Sequence, residues 1–459
     1  MKSLLTPKQS VEAIKTLQPV LNAAITIVES PEENTNDGLF ANVPVVLKDN
    51  VSTKGIRTTA SSRILENYVP VYDATIVKKM KEQGAVIVAK ASMDELGMGG
   101  TNRNALIGPA YNPWNQDHIT GGSSGGSAAL TAAGTTPLAI GTDTGDSIRK
   151  PAAYCGVIGV KPTYGRISRY GIVPYCSSLD TVGYFTTNIA DAAQALEVLA
   201  GRDDHDMTSS NLPVENYLEN LNGNLEGKKI AVFKTIADHI VNPTLANRFE
   251  QLVEQLKDRG AIISEVEMDT KLLNMIAPVY KTISNAEATA NHSNLDGLRF
   301  GMRENGESVD EVMTASRTAG FSSYVRARFL IGSYSLFEEN QDRMFRKAQK
   351  IRRLIVEAYA KLFEDADIVL TPAAMDTAPL MKESADLRFG EDHFENEHMQ
   401  LANFSGYPSL TMPLCLAENG LPLGINITAK PFAEQTMFDV AYGLEQIIDW
   451  KEAPACLIK

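Results

Sequence analysis

The sequence reads GGSSGGS over residues 121–127 and GTDTGDS over residues 141–147. Loops of this composition expose backbone N–H groups and hold hydroxyl groups in positions that bulkier sequences do not reach. Anion-binding loops and serine nucleophiles both need that arrangement. The two loops lie within a stretch, residues 97–183, that contains 16 of the 33 glycines of the chain. Backbone shape is therefore specified in this region, and its function depends on backbone groups as well as side chains.

The rest of the chain alternates between strand and helix patterns, which predicts an α/β fold. A polar segment at 211–227 is the best candidate for an internal boundary, and a second strand–helix–strand unit follows it. The predicted helices are 7–18, 73–83, 244–259 and 432–448. The predicted strands are 23–28, 43–47, 85–89, 227–234, 261–266, 367–370 and 423–428.

Composition narrows the class of protein. The chain has 459 residues, 44% of them hydrophobic, with a net charge of −13. It has no run of 18 apolar residues and no secretory leader pattern, so we expect a cytoplasmic protein without a membrane span. Its four cysteines do not have the spacing of a metal site, so we expect no bound metal. The acidic balance argues against a large nucleic-acid surface. One basic stretch, Arg343–Arg353, predicts a solvated helix face, with Phe345, Ile351 and Leu354 on the buried side.

The second loop continues into IRKPAA (148–153), and KPTYGRISRYG follows at 161–171. This whole region resembles the amidase signature family, whose members cleave amides with a Ser-Ser-Lys triad. The resemblance implies an amidase signature fold: a mixed central β-sheet covered by helices on both faces. It also implies one compact domain over residues 1–459, with a smaller α/β subdomain beginning near 211–227.

The resemblance also assigns the triad by register. The family nucleophile ends the second loop, at Ser147; the bridging serine, on a cis peptide bond, lies 24 residues earlier at Ser123; and the lysine base lies 99 residues earlier at Lys48. From the strand pattern alone, Lys90 and Lys161 are equally good candidates, because each also follows an apolar run.

Other serines of the first loop have simpler interpretations. Ser124 and Ser127 are predicted to be structural, near the start of a helix. Residues 121–125 also match the G-x-S-x-G nucleophile elbow, but that motif requires a preceding strand, and residues 112–118 are polar and turn-like.

The family places its oxyanion donors on the backbone N–H groups before the nucleophile, here Thr144, Gly145 and Asp146. Asp146 departs from the commoner Gly-Gly-Ser pattern. A carboxylate beside an oxyanion would oppose catalysis, so we expect the Asp146 side chain to point away, toward Arg149 or Lys150.

Further motifs resemble the aminoacyl-tRNA amidotransferase A subunits within that family: YGRISRYG (164–171), SSLD (177–180), AEA (286–288), DGLRFG (296–301) and ANFSG (402–406). These proteins hydrolyse glutamine. The resemblance assigns the substrate carboxylate to Arg328, with Arg326 as the alternative, and Tyr280 to the pocket. The usual amine-binding aspartate is replaced by Asn396, so Glu395 or Glu397 is expected to take its place.

The same resemblance implies a heterotrimer with subunits B and C, in which a partner uses ATP and Mg²⁺ and binds charged tRNA, while this chain binds no cofactor. Glu-tRNA(Gln) and Asp-tRNA(Asn) both remain open as acceptors. A stand-alone amidase for small amides is the alternative enzyme, and a non-catalytic scaffold is the alternative outside enzymes.

Overall fold

The structure is a computed structural model that describes residues 1, 3–32, 34–384 and 393–456. Within these residues, the strands are β1 Ala24–Ile27, β2 Pro44–Lys48, β3 Val86–Ala91, β4 Leu138–Asp143, β5 Ile158–Lys161, β6 Thr181–Thr186, β7 Lys229–Phe233, β8 Ile262–Val266, β9 Ile368–Pro372, β10 Ser409–Leu416 and β11 Pro422–Ala429.

The helices surround this sheet. They are α1 Pro7–Leu21, α2 Thr75–Glu82, α3 Gly125–Ala132, α4 Arg149–Cys155, α5 Ile189–Leu199, α6 Lys234–Ala237, α7 Pro243–Asp258, α8 Thr270–Leu273, α9 Ile276–Asn291, α10 Val309–Gly320, α11 Ser323–Leu336, α12 Glu338–Gln341, α13 Phe345–Lys361, α14 Phe394–Glu397, α15 Leu401–Ser405 and α16 Glu434–Ile448. Short 3-10 turns lie at Arg63–Leu65, Glu95–Gly97 and His398–Gln400.

The strands form one mixed sheet in the order β1-β3-β2-β4-β6-β5-β10-β11-β9-β7-β8. β2 runs parallel to β3 and β4, and β7 runs parallel to β8 and β9, whereas the other neighbours are antiparallel. The mixed α/β fold predicted from the sequence is therefore confirmed.

Side-chain alternation along the strands shows that both faces are covered. In β2, Val45 and Leu47 join a core that includes α2, α5, α7 and α16, whereas Val46 joins a core with α1, α3 and α4. In β7, Ile230 belongs to the first core, and Phe233 packs with α9, α11 and α13 on the opposite face.

The basic helix differs from its prediction. Leu354, expected on the buried side, is 53% exposed. The buried positions of α13 are instead Ala348, Ile355 and Tyr359. Arg352 also leaves the solvated face, because its guanidinium donates to the Phe404 carbonyl at 3.0 Å. Phe345 and Ile351 are partly buried and pack against the core, as predicted, so the prediction of the buried side is wrong only for Leu354.

The candidate boundary segment 211–227 is anchored to its surroundings. Tyr217 is fully buried; its hydroxyl accepts a hydrogen bond from Arg166 at 2.6 Å, and its ring contacts Phe438 with 5.7 Å between centroids. The division into a main part and a subdomain remains a prediction. No helix in the described ranges is long and apolar enough to cross a membrane.

Candidate active site

The sheet brings the two loops and Lys48 together. β2 and β4 are parallel neighbours, with Leu47 opposite Ile140. Their carboxyl ends therefore meet at one edge, where Lys48 closes β2 and the loop 144–148 leaves β4. The first loop reaches the same edge, because the Ser124 N–H donates to the Ser147 carbonyl at 3.2 Å.

Lys48 is fully buried and has three polar neighbours. Its Nζ lies 2.8 Å from Ser123 Oγ, 2.7 Å from Ser124 Oγ and 3.3 Å from the Thr142 carbonyl oxygen. Ser124 Oγ donates its own proton to that carbonyl at 3.1 Å, so it accepts from Lys48. A neutral amine with two protons would donate to Ser124 and Thr142, which leaves its lone pair for the Ser123 hydroxyl.

Burial supports the neutral form of this amine. Desolvation lowers the pKa of Lys48 to about 7, although the carboxylates of Asp94, Asp143 and Asp180 oppose the shift. If Lys48 is the base, kcat/KM should rise as pH increases through about 7, where the ammonium loses its proton. A pH profile of amide hydrolysis under kcat/KM conditions checks this; a profile that stays flat between pH 6 and about 8 would contradict it.

The two competing lysines have no contact with the serines. Lys90 donates to the Val51 carbonyl and to Thr58 Oγ1, both at 2.6 Å, and lies 3.7 Å from the Asp49 carboxylate. Lys161 donates to the Pro162 carbonyl at 3.0 Å. Geometry therefore selects Lys48, which the strand pattern alone could not do.

The first loop has the cis Gly122–Ser123 peptide bond that the resemblance implied. Asp94 supports it: the Asp94 N–H donates to the Ser123 carbonyl at 3.2 Å, and its carboxylate accepts from the Asn102 N–H at 2.9 Å. A Cβ at Gly122 would lie 2.0 Å from Asp94 Oδ2, so glycine is required there. Sequence reasoning missed Asp94, because a carboxylate that binds backbone N–H groups has no local signature.

The roles expected of the neighbouring serines are only partly correct. Ser124 occupies the N-cap position of α3 but makes no capping hydrogen bond with its side chain, which instead joins Lys48 to Thr142. Ser127 is structural as predicted, with its hydroxyl donating to the Ile140 carbonyl at 2.9 Å.

Ser147 lies next to this network without joining it. Its residue is 4% exposed, and no hydrogen bond to its hydroxyl is present in the described part of the chain. The structure thus contains the Lys48–Ser123 half of the predicted relay and leaves the Ser123–Ser147 step open. Catalytic hydrogen bonds often tighten only when substrate binds.

Backbone N–H groups suited to an oxyanion precede Ser147. Within the described ranges, the N–H groups of Thr144, Gly145 and Asp146 donate no hydrogen bond. A Cβ at Gly145 would lie 3.1 Å from the Tyr280 ring, so the small residue lets that ring pack on the loop. Asp180 anchors the loop, because its carboxylate accepts a hydrogen bond from Thr144 Oγ1 at 2.7 Å.

Arg149 holds the second loop from inside the protein. It is fully buried and pairs with both carboxylate oxygens of Asp143, at 3.1 and 3.0 Å. The same guanidinium donates to the Gly145 carbonyl at 2.7 Å and to Asn403 Oδ1 at 2.7 Å. These bonds fix the curvature of the loop and so the direction of its N–H groups.

We expect Arg149→Met to lower the free energy of unfolding by about 3–5 kcal/mol, because it leaves the Asp143 carboxylate buried without its cation. Urea unfolding of the variant measures this. Arg353→Met is a matched control, since Arg353 lies at an exposed position of α13 and pairs with Glu357 in solvent. Equal stability of the two variants would contradict the role given to Arg149.

The Asp146 side chain points toward Lys150, one of the two expected partners, with Nζ and Oδ2 3.8 Å apart. Lys150 also donates to the Asn396 carbonyl at 3.0 Å. Asp146 nevertheless lines the cavity that contains Ser147, as does Lys150.

This cavity has a volume of about 410 Å³ and brings the predicted pocket residues together. Those residues are Arg328, Tyr280, Asn396 and Glu397, and all of them line it with Ser147. The two alternatives do not line it: Arg326 is exposed, and Glu395 faces His393 at 3.7 Å. Lys150, Lys281 and Glu383 also line the cavity and were not predicted as substrate contacts.

The Arg328 side chain is held in place by tyrosines. Its guanidinium donates to the Tyr175 hydroxyl at 2.6 Å and lies 4.9 Å from the centre of the Tyr324 ring. Its Nε is buried without a hydrogen-bond partner. In the described residues, no group of three or more His, Cys, Asp or Glu side chains could hold a metal ion.

A profile of the family described as Amidase matches residues 8–438. The chain belongs to the amidase family. It is 42% identical to the A subunit of glutamyl-tRNA(Gln) amidotransferase from Brevibacillus brevis over 90% of this chain and 84% of that protein. It is 39% identical to the protein of the same name from Halothermothrix orenii, over 95% of this chain and 92% of that protein.

Solved structures of amidases have the same fold. The A subunit of glutamyl-tRNA(Gln) amidotransferase from Thermotoga maritima superposes with a TM-score of 0.82 at 35% identity, over 99% of this chain and 94% of that one. Peptide amidase from Stenotrophomonas maltophilia superposes with a TM-score of 0.80 at 25% identity, over 98% of this chain and 95% of that one. The predicted family, fold and amidase-type enzyme are confirmed; the roles of individual site residues remain predictions.

Proposed function

We propose that the chain is the glutaminase subunit of a tRNA-dependent amidotransferase. It hydrolyses glutamine to glutamate and supplies the ammonia with which a partner subunit converts Glu-tRNA(Gln) to Gln-tRNA(Gln). One observation carries the substrate assignment: side chains of both charges share the cavity of Ser147. A zwitterionic amino acid needs a cation for its carboxylate and an anion for its ammonium group.

In the proposed reaction, neutral Lys48 takes the proton of Ser123 as Ser123 takes that of Ser147. Ser147 Oγ attacks the side-chain amide carbon, and N–H groups of Thr144, Gly145 and Asp146 stabilise the oxyanion. The proton returns through Ser123 to the leaving nitrogen, which departs as ammonia. Water then cleaves the acyl-enzyme by the reverse sequence and releases glutamate.

The names of three similar proteins support a role for this chain within a complex, because each of the three is the A subunit of an amidotransferase. We propose subunits B and C as its partners, with ATP, Mg²⁺ and charged tRNA bound by a partner. Support comes from charge: 43 basic and 56 acidic residues leave this chain poorly suited to bind RNA phosphates.

The isolated chain should therefore show negligible tRNA binding at physiological salt, and two further subunits should co-purify with it when co-expressed. Filter binding of labelled tRNA across a salt series, before and after assembly, checks both points. Salt-sensitive tRNA binding by the chain alone would contradict the division of labour and would implicate the basic residues of α13.

Ammonia release from glutamine, by the assembled complex and by the chain alone, tests the function itself. A second candidate, a stand-alone amidase, is favoured by the similarity to peptide amidase, whose fold covers 98% of this chain. Rapid hydrolysis of simple amides by the isolated chain, with no preference for glutamine and no partner, would support that candidate.

Arg328→Ala should raise the KM for glutamine by at least about 30-fold, because loss of a charge partner costs about 2–5 kcal/mol in recognition. Hydrolysis of a neutral amide such as propionamide should change much less. Arg326→Ala is the matched control, since Arg326 lies two positions away on α11 but is exposed outside the cavity. Equal losses on both amides would make Arg328 a structural residue.

A further inference from the structure

The acid that receives the substrate ammonium group is not evident from the cavity as a whole. Three carboxylates line it, those of Asp146, Glu383 and Glu397. Asn396, which also lines it, carries no charge. Existing hydrogen bonds distinguish two of these acids, Glu397 and Asp146, from each other.

Glu397 is already engaged, because its carboxylate accepts a hydrogen bond from the Gln400 side-chain amide. Asp146 differs from it. No hydrogen bond reaches the Asp146 carboxylate from any described residue, and its contact with Lys150 is an ion pair at 3.8 Å, longer than a hydrogen bond. The side chain is 21% exposed, so it is largely shielded from solvent.

A partly buried carboxylate without donors is unfavourable, and a bound ammonium group would supply the donors. Burial raises the pKa of Asp146, against the stabilising charge of Lys150. A second cation placed against this carboxylate would therefore bind more strongly than at a solvated acid.

Asp146 is also next to the proposed nucleophile in the wall of the cavity. It is adjacent in sequence to Ser147, and in glutamine only three bonds separate the reacting amide carbon from the carbon that carries the amine. Tyr280 lines the same cavity as Arg328 and Asp146. Burial raises the pKa of Tyr280 most, the Arg328 charge opposes that shift, and the Asp146 charge adds to it. The Tyr280 ring also packs on Gly145, next to Asp146.

We propose that the Asp146 carboxylate binds the α-ammonium group of glutamine opposite Arg328, with Lys150 as the residue that positions it. The departure from glycine at this position then sets substrate specificity instead of impairing the oxyanion loop. This inference rests on the proposed glutaminase function.

The test compares glutamine with glutaramate, the same amide without the α-amine, using the full chain in complex with its co-purifying subunits. The readout is the ratio of the two kcat/KM values, which cancels any effect on the shared chemistry. Asp146→Asn should lower the preference for glutamine by about 10-fold or more. Glu397→Gln and Glu383→Gln, which remove the other acids of the cavity, should leave the ratio within about 2-fold of the wild type.

An unchanged ratio in Asp146→Asn, with both substrates losing activity equally, would overturn the proposal, as would a fall in the ratio confined to Glu397→Gln or Glu383→Gln. Failure of the proposed function looks different, since wild-type complex would then show no preference for glutamine over glutaramate. Melting temperatures of the variants separate loss of specificity from loss of fold.

Discussion

Ser147→Ala is expected to abolish amide hydrolysis, with kcat lower by at least about 10⁴-fold, because no acyl-enzyme can form without this hydroxyl. The fold should be preserved: Ser147 makes no side-chain hydrogen bond to the described residues, so alanine removes one oxygen and leaves the loop supported by Arg149 and Asp180. Ammonia release from glutamine and from a neutral amide measures the activity, and thermal unfolding measures the stability.

Ser127→Ala is a matched control for this substitution, since Ser127 lies in the first glycine-rich loop and binds only backbone, at the Ile140 carbonyl. It should cost stability and leave the chemistry within a few-fold of the wild type. If Ser147→Ala kept more than a few per cent of wild-type activity, the nucleophile would have to be Ser123 or Ser124, both of which lie beside Lys48.

The strands and helices with clear periodicity were predicted within a few residues. The segment predicted as a helix at 244–259 is α7 Pro243–Asp258, and the strand predicted at 423–428 is β11 Pro422–Ala429. Pro243 begins α7 after Asn242, whose side chain accepts hydrogen bonds from two N–H groups of the first turn. Local signals of this kind are visible in a sequence because they involve only neighbouring residues.

Two strands in the middle of the sheet, β5 and β6, were not predicted, and their glycines explain why. β5 and β6 contain Gly159 and Gly183, which interrupt any pattern of side chains. A Cβ at Gly183 would lie 2.1 Å from the Val160 carbonyl oxygen, and one at Gly159 would lie 2.6 Å from Ala152 of α4. These positions are set by close packing between elements distant in sequence, which a local pattern does not record.

The candidate site divides in the same way. The nucleophile loop could be recognised from its residues, and the resemblance supplied the register of the lysine. The support from Asp94 and Asp180 became visible only in the structure, because each residue contacts a loop that is distant in sequence: the Asp94 N–H donates to the Ser123 carbonyl, and the Asp180 carboxylate accepts from Thr144 Oγ1. The pairing of Asp146 with Lys150 could be expected because the two residues are four positions apart.

Lys48→Met should lower kcat/KM by about 10²- to 10⁴-fold, the usual contribution of a general base. Methionine keeps the length and apolar stem of the buried side chain but cannot accept the Ser123 proton. Because the members of a catalytic relay act as a unit, the losses in Lys48→Met and Ser147→Ala should not add in the double variant. Steady-state ammonia release from the two single variants and the double variant measures both effects.

Lys161→Met is a stringent control for this experiment, because burial lowers the pKa of Lys161 to about 7, as it does for Lys48. Both amines are fully buried, but the Lys161 amine donates to the Pro162 carbonyl and contacts neither loop serine. Removal of a buried amine as such should therefore reduce stability in both variants, whereas hydrolysis should fail only in Lys48→Met. Equal activity in the two variants would rule out Lys48 as the base, since the two amines are alike in burial and pKa and only Lys48 contacts Ser123 and Ser124.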